Sequence, residues 1–183
     1  MPGRLRGALL ATFAAAVLAH ASMACAQESV VRRTTLIVAD MEAALGFYRD
    51  ALGFEVWYDQ PGTVSEDSLP TGTPVGAPSR FVIMKGRHPW IGMIGLLQYG
   101  DAKTPAGRPE LLAAGDAILM VETDGIDAIY RRMQTAGTPI LREPESSEVT
   151  GADGSTWAAT FLFAFDPDGH LLEINQRTPD PAD

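Results

Sequence analysis

The chain runs through one order of predicted elements twice, and this duplication constrains the fold more than any other feature. A shift of 85 residues places Ile-Asp-Ala at 126–128 on Met-Glu-Ala at 41–43. The same shift places Met133 on Tyr48. A repeat of this kind predicts two copies of one structural module, with a functional site between the copies.

The first copy begins with a β-branched and apolar strand at residues 34–38. Asp40 then caps a helix whose apolar residues recur at helical spacing, and Gly53 ends that helix. Three further strands are predicted at residues 54–58, 80–85 and 91–99. The copy therefore has the order strand, helix and three strands.

The second copy repeats this order. A strand at residues 117–121 precedes a helix that Asp124 is expected to cap and Gly137 to end. Strands are predicted at residues 139–141, 157–165 and 170–175. The last two are joined by a tight turn, Asp-Pro-Asp-Gly at 166–169, where proline fixes φ and glycine accepts a positive φ. His170 is expected to be an exposed residue of this turn, without a catalytic role.

Three stretches rich in Pro, Gly, Ser or charged residues break the pattern and are predicted to be loops: residues 60–79, 101–115 and 143–155. The first is long enough to act as a lid over a site.

The N-terminus has the pattern of a signal peptide. Arg4 and Arg6 precede an apolar run at residues 8–18, which is too short to span a bilayer. Ala24 and Ala26 form a small-residue cleavage pattern, so residues 1–26 are predicted to be removed and the protein to be periplasmic or secreted. The alternative is a lipoprotein anchored through Cys25.

Composition limits the partners of the mature chain, which is about 157 residues long and suits a single domain. Its formal net charge falls from -9 to about -11 when the signal arginines are lost, so nucleic acid is not an expected partner. No later apolar run is long enough to cross a membrane, and no cysteine remains for a disulfide or for nucleophilic catalysis.

Two motifs carry a resemblance to a known family. They are Phe-Tyr-Arg-Asp at 47–50 followed by Leu-Gly-Phe at 52–54, and the turn at 166–169 followed by His170 and Glu173. The chain resembles the vicinal oxygen chelate superfamily, which includes glyoxalase I, extradiol dioxygenases, fosfomycin-modifying enzymes and bleomycin-resistance proteins.

The resemblance implies an α+β fold in which two βαβββ modules form a cup of curled sheet, commonly as a homodimer. It covers residues 30–176, with one module at about 30–100, the other at about 115–176, and a tail at 177–183.

The resemblance also implies where a divalent metal would be held: on the first and last strand of each module. The corresponding residues here are Arg33, Gly95, Ile118 and Glu173. Only Glu173 retains a metal-binding side chain, and one carboxylate does not hold a catalytic metal. We therefore expect no cofactor. Glu173 has two possible interpretations. It is either a relic of the metal site, or it pairs with the guanidinium of Arg33, which then occupies the place of the metal.

Other candidate ligand-binding residues are aromatic or basic. His88 and Trp90 belong to a basic and aromatic turn that could meet an anionic or aromatic ligand, although a solvated hairpin tip is the alternative. Trp57 and Phe161 are of the type that lines an apolar pocket, as are Met93 and Phe163, and core packing is the alternative.

These observations predict an exported protein that binds a small organic molecule, cationic or aromatic, without a metal, as in the bleomycin-sequestering branch that the resemblance names. One alternative is a metal-dependent lyase, isomerase or dioxygenase that uses Glu173 with His88 or Asp116. Another is an interaction module that keeps only the fold.

Overall fold

Eight strands and two helical segments make up the described part of the computed structural model, which covers residues 29–100 and 112–178. The predicted signal peptide and the region 101–111 lie outside the described residues. The elements are β1 Arg33–Ile37, α1 Met41–Leu45 with a π-helical turn Gly46–Ala51, β2 Glu55–Thr63, β3 Pro78–Lys85, β4 Met93–Tyr99, β5 Ile118–Glu122, α2 Ile126–Thr135, β6 Ile140–Thr150, β7 Thr156–Phe165 and β8 Leu171–Arg177.

The strands form two four-stranded mixed sheets with the same topology. The first has the order β1-β4-β3-β2 and the second the order β5-β8-β7-β6. In each sheet the first strand of the module runs parallel to the last, and the other pairs are antiparallel. The predicted duplication and α+β fold of two βαβββ modules are confirmed. All elements belong to one compact unit, Val31–Asp183.

Both helices pack on the strands through one hydrophobic cluster that the two modules share. Alternate strand residues point into it, as the period of a strand requires. From the strands the cluster includes Leu36, Val82, Met84, Ile94, Leu96, Leu162, Ala164, Leu172 and Ile174, and Val38, directly after β1, belongs to it as well. The remaining residues of each strand lie on the opposite side of the sheet, which we call the helix-free face.

The two helices begin differently, although both were predicted to have an aspartate cap. Asp40 caps α1 as predicted, because its Oδ1 accepts the backbone N–H groups of Glu42 at 2.9 Å and Ala43 at 3.1 Å. The prediction for Asp124 is wrong, since Gly125 is the N-cap residue of α2 and makes no side-chain cap bond.

The donor at the start of α2 is satisfied from another element. The amide oxygen of Gln176, on β8, accepts the backbone N–H of Ile126 at 2.9 Å. Asp124 therefore does not cap this helix. Its Oδ2 accepts a hydrogen bond from Nη2 of Arg87, in the other module, at 2.5 Å. Among the described helices, none is long and apolar enough to cross a membrane.

Two of the predicted loops are shorter than expected. The segment 143–150, predicted to be a loop, is the second part of β6 and pairs with β7, for example Glu148 with Ala158. Polar side chains on both faces of this edge strand hid the alternation that identifies a strand. The loop after β2 covers only residues 64–77, and its ends are joined by the Val64 N–H bond to the Ala77 carbonyl at 2.9 Å.

Candidate ligand-binding site

The sheet registers establish which residues of the two modules are equivalent. Thr35 pairs with Gly95 in the first sheet, and Met120 pairs with Glu173 in the second. Gly95 and Glu173 therefore occupy the same place on the last strand of their modules, as the sequence repeat predicted. Both lie on a helix-free face, because their neighbours along the strand belong to the shared core.

Arg33, at the metal-ligand position that the resemblance implies on β1, pairs with Met93, and its side chain lies across the first sheet. Its guanidinium is 5.0 Å from the centre of the Phe81 ring, and its Nε donates to Thr35 Oγ1 at 3.0 Å. A Cβ atom added at Gly95 would lie 2.7 Å from Thr35 Oγ1 and 3.1 Å from Cδ of Arg33. The absence of a side chain at Gly95 is thus what lets Arg33 lie flat on this face. Ile118, the residue of β5 that is equivalent to Arg33, is 49% exposed.

Glu173 lies in the middle of the second sheet and is partly exposed. It pairs across the strands with Phe163, whose ring lies 5.1 Å from the guanidinium of Arg142. Arg33 and Glu173 form no direct ion pair within 4.0 Å in the described structure, so their predicted pairing stays a prediction. Arg33 is held instead by Thr35 and Phe81 of its own sheet.

Trp57 and Trp90 come together, although 33 residues separate them in the chain. Their rings are 5.9 Å apart in an edge-to-face arrangement. Nζ of Lys85 lies 4.3 Å from the centre of the Trp57 ring, and the guanidinium of Arg32 lies 4.0 Å from that of Trp90. The two rings thus lie side by side, with one cation over each of them.

His88 has a structural task in the turn before β4. Its Nδ1 accepts the backbone N–H groups of Trp90 at 3.1 Å and Ile91 at 2.9 Å, and the side chain is exposed. His88 therefore fixes the turn that displays Trp90, and it does so through the ring nitrogen that faces the backbone.

Phe161 lies on the helix-free face of the second sheet and is half-buried. It pairs with Asn175 on β8 and with Glu145 on β6. The structure therefore divides the predicted ligand-binding residues between the two sheets. Arg33, Trp57, His88 and Trp90 belong to the first module, and Phe161 and Glu173 to the second.

A buried polar cluster at the Asp-Pro-Asp-Gly turn was not predicted from the sequence. Asp166 is fully buried, and its Oδ2 accepts the hydroxyl of Tyr48 at 2.9 Å, a bond that joins the two modules. His170 Nδ1 lies 2.9 Å from the same oxygen, and Oδ1 accepts the backbone N–H groups of Asp168 and His170. The prediction that His170 is an exposed turn residue is wrong, because the imidazole turns inward to this carboxylate.

This cluster shifts the pKa of two of its members. Burial is the largest cause that raises the pKa of Tyr48 well above its usual value, and the nearby Asp166 adds to the effect. The pKa of His170 is raised by its hydrogen bond to Asp166, against the opposing effect of burial. The sequence contained two signals for this cluster, the Phe-Tyr pair at 47–48 and the turn at 166–169. Tyr48 and the turn are hydrogen-bonded to each other across the module boundary.

Clefts also lie between the modules. A groove of about 520 Å³ runs between the helices and is lined by Gly46, Asp50, Ala51, Ala128, Arg131, Arg132, Thr135 and Ala136. A smaller cleft of about 250 Å³ lies beside β5 and includes Arg87, Met120 and Glu122. Met93, predicted to line an apolar pocket, borders the smaller cleft. Neither cleft contains Arg33, Trp57, His88, Trp90, Phe161 or Glu173.

The family model for the Glyoxalase/Bleomycin resistance protein/Dioxygenase superfamily matches residues 30–174. The chain belongs to this superfamily. The resemblance carried by the motifs at 47–54 and 166–173 is thereby confirmed.

Solved structures of the superfamily have the same fold. A glyoxalase family protein from Bacillus cereus is 16% identical, with a TM-score of 0.63 over 86% of this chain and 100% of that one. The trypanothione-dependent glyoxalase I of Leishmania major is 17% identical, with a TM-score of 0.54 over 81% of this chain and 86% of that one. A glyoxalase/dioxygenase from Nostoc punctiforme is 19% identical, with a TM-score of 0.52 over 81% and 91% of the two chains. At these identities the likeness concerns the fold. No curated protein matches the chain.

The side chains at the superfamily's metal positions do not make a metal site here. Within residues 29–100 and 112–178, no three His, Cys, Asp or Glu side chains come close enough together to hold an ion. Glu173 is the single donor at the four equivalent positions, whose other occupants are a guanidinium, a glycine and an isoleucine. The described residues do not fit a resident metal.

Proposed function

We propose that the mature protein is an exported member of the superfamily that binds a small organic molecule and works without a resident metal. The bound molecule contacts the helix-free faces, through Arg33, Trp57 and Trp90 of the first module and Phe161 and Glu173 of the second. His88 supports the site by fixing the turn that carries Trp90.

The observation that carries this proposal is the contact of Arg33 with Gly95. The guanidinium stem lies where a ligand side chain on β4 would begin, 3.1 Å from the position of a Cβ atom at Gly95. A carboxylate at that position would require Arg33 and Thr35 to move. The positive charge of Arg33 on β1 also opposes a cation nearby, since like charges repel.

Partly exposed rings support a binding role. Trp57 is 48% exposed and Trp90 is 51% exposed, so large apolar surfaces remain accessible beside charged groups. Pockets for organic ligands combine apolar walls with a few polar groups that fix orientation. The first module offers both kinds of group in direct contact with each other.

The alternative is a metal-dependent lyase, isomerase or dioxygenase that uses Glu173 with His88 or Asp116. Nδ1 of His88 accepts two backbone N–H groups, and Oδ2 of Asp116 accepts the N–H of Ala113 at 2.7 Å. No structural observation favours this function, and the experiment below decides against it or for it.

The proposal includes export and self-association. Cleavage after Ala26 leaves Gln27 as the first residue of a periplasmic or secreted protein. A second copy of the chain would cover the edge strands β1 and β5, where Ile37 is 45%, Ile118 49% and Met120 68% exposed. Apolar residues concentrated at sheet edges are a common place for association.

Native mass spectrometry of the protein, expressed with its leader and purified without chelator, tests the export, self-association and metal-free parts of the proposal. We expect a dimer of chains that begin at Gln27, with no stoichiometric metal. Elemental analysis after incubation with zinc, nickel, manganese and iron should give well below one ion per chain.

Glu173→Ala and Glu148→Ala are the matched variants, since both lie on strands of the second sheet and only the first is at a superfamily metal position. Near-stoichiometric metal that is lost in Glu173→Ala and kept in Glu148→Ala would overturn the metal-free function. It would direct attention to lyase, isomerase and dioxygenase reactions.

A further inference from the structure

Basic side chains on the first module are divided into two groups by their partners. Arg49, Arg80 and Arg87 form ion pairs with carboxylates. Arg32 and Arg33 make no such pair in the described part of the chain and lie over aromatic rings instead. Lys85 behaves in the same way, over Trp57.

This second group is concentrated in one region. The residues are Arg32, Arg33, Trp57, Lys85 and Trp90, which we call the basic aromatic face. Arg33 on β1 pairs with Met93 on β4, which is 2% exposed. On the other side of β4, Lys85 of β3 directly follows Met84, which pairs with Ile94. Arg33 and Lys85 are thus two strands apart, about 10 Å between their Cα atoms at the usual strand spacing.

We propose that the basic aromatic face binds an aromatic carboxylate, with the carboxylate on Arg33 and the ring against Trp57 and Trp90. This inference rests on the proposed function and specifies the class of ligand. It departs from the cationic ligand that the acidity of the whole chain suggested.

The local charge favours an anion. Lys85, Arg32 and Arg33 place three positive charges on a protein with 23 acidic and 14 basic residues. The ring faces that would attract a cationic ligand already hold the protein's own cations, at 4.0 Å for Trp90 and 4.3 Å for Trp57. Glu55 pairs with Lys85 across the strands but forms no ion pair with it. A cation would therefore meet repulsion here, and an anion would be attracted.

Arg33 is the best prepared of these cations. Its Nε is engaged by Thr35 and its plane is supported by Phe81, whereas its two terminal nitrogens donate to no described group. A guanidinium held in place loses little conformational freedom when it binds a carboxylate through two parallel hydrogen bonds. Phe81 is itself supported by Tyr58, at 6.0 Å between ring centres.

Isothermal titration calorimetry with three probes tests the ligand class. The probes are 2-naphthoate, 2-naphthylmethylammonium, which has the same ring with the opposite charge, and cyclohexanecarboxylate, which has the same charge without the aromatic ring. We expect 2-naphthoate to bind at least about tenfold more tightly than either of the others, as charge-assisted hydrogen bonds and ring contacts together allow.

Variants locate the binding. Arg33→Gln should weaken 2-naphthoate about tenfold or more, because it removes the charge and the paired donors. Arg33→Lys, which keeps the charge without the planar fork, should fall between Arg33→Gln and the native protein. Arg177→Gln is the matched control, since Arg177 lies 5.3 Å from the Trp157 ring in the other sheet, and it should leave the affinity within about twofold.

The outcomes separate the ligand class from the proposed function. Tighter binding of 2-naphthylmethylammonium, or binding of 2-naphthoate that Arg33→Gln does not weaken, would overturn the inference and leave a metal-free binding function intact. Absence of 2-naphthoate binding at millimolar concentration would also overturn it. Stoichiometric metal held by Glu173 would contradict the proposed function, whatever the naphthoate result.

Discussion

The two modules have the same strand order and differ at two equivalent places. On the last strand, Gly95 of the first module stands where Glu173 stands in the second. In the hairpin before that strand, the first module exposes Trp90, 51% accessible, whereas the second buries Asp166 completely. One hairpin presents rings to solvent, and the other forms hydrogen bonds in the interior.

This difference indicates a division of tasks between two copies of one fold. The turn of the second module joins the copies, since Asp166 accepts the hydroxyl of Tyr48 from the first module. The turn of the first module reaches the other copy through an exposed ion pair of Arg87 with Asp124 and displays a basic and aromatic surface. We infer that stability between the modules depends more on the second turn, and ligand contact more on the first.

The largest expected effect is at Asp166. Replacing it with alanine leaves the buried hydroxyl of Tyr48 without its acceptor, together with the N–H groups of Asp168 and His170. We expect Asp166→Ala to lower the free energy of unfolding by about 3–5 kcal/mol, because each unsatisfied buried group costs about 1–3 kcal/mol. Urea denaturation of the mature protein measures this loss.

His88→Ala is the control in the other turn. His88 is exposed and bonds only to backbone N–H groups, so its removal should cost within about 1 kcal/mol. Equal losses for the two variants would contradict the division of tasks between the turns.

A middle-sized effect is expected at Gly95. The added methyl of Gly95→Ala would lie 2.7 Å from Thr35 Oγ1 and 3.2 Å from Cε2 of Phe81. We expect a loss of about 1–3 kcal/mol, which is typical of overpacking. Thr35→Ala combined with Gly95→Ala should recover part of the loss, and the double-mutant cycle measures the coupling.

The same position in the second module should respond differently. Glu173 is partly exposed and has no ion-pair partner among the residues that the structure describes, so Glu173→Ala should change stability by less than about 1 kcal/mol. A tolerated Gly95→Ala together with a costly Glu173→Ala would reverse the comparison. It would show that the crowding around Arg33 relaxes easily.

Much of the fold could be predicted because the repeat, the alternation of apolar residues and the glycine stops all point to one module. Gly53 and Gly137 have φ angles of 87° and 68°, as the ends of helices require. The failures have local causes. Asp124 resembles a cap in sequence, but Gln176 from a distant strand supplies the acceptor.

The candidate site was less predictable, because its contacts join residues that are far apart in the chain. The equivalence of Gly95 and Glu173 follows from the repeat, but the path of the Arg33 side chain depends on Phe81 and on the missing Cβ atom. Likewise, nothing in the sequence near Asp166 indicates that Tyr48, 118 residues away, donates to it. Periodicity identifies the face on which a residue lies, and only packing identifies its partner.

The smallest expected effect is the contribution of the charged His170 side chain to the free energy of unfolding. Its pKa is raised, first by the hydrogen bond to Asp166. The charged imidazole is therefore more stable in the folded chain than in the unfolded one, where the pKa is about 6.5.

This contribution of His170 to stability is complete below the unfolded pKa and disappears as the pH rises through the folded pKa. The stability advantage of the native protein over His170→Gln should accordingly shrink as the pH rises above about 6.5. NMR titration should place the His170 pKa above 6.5 in the native protein and return it toward that value in Asp166→Asn. A His170 pKa below 6.5 would mean that burial outweighs the carboxylate, and the second turn would then resist charge in the same way as any apolar interior.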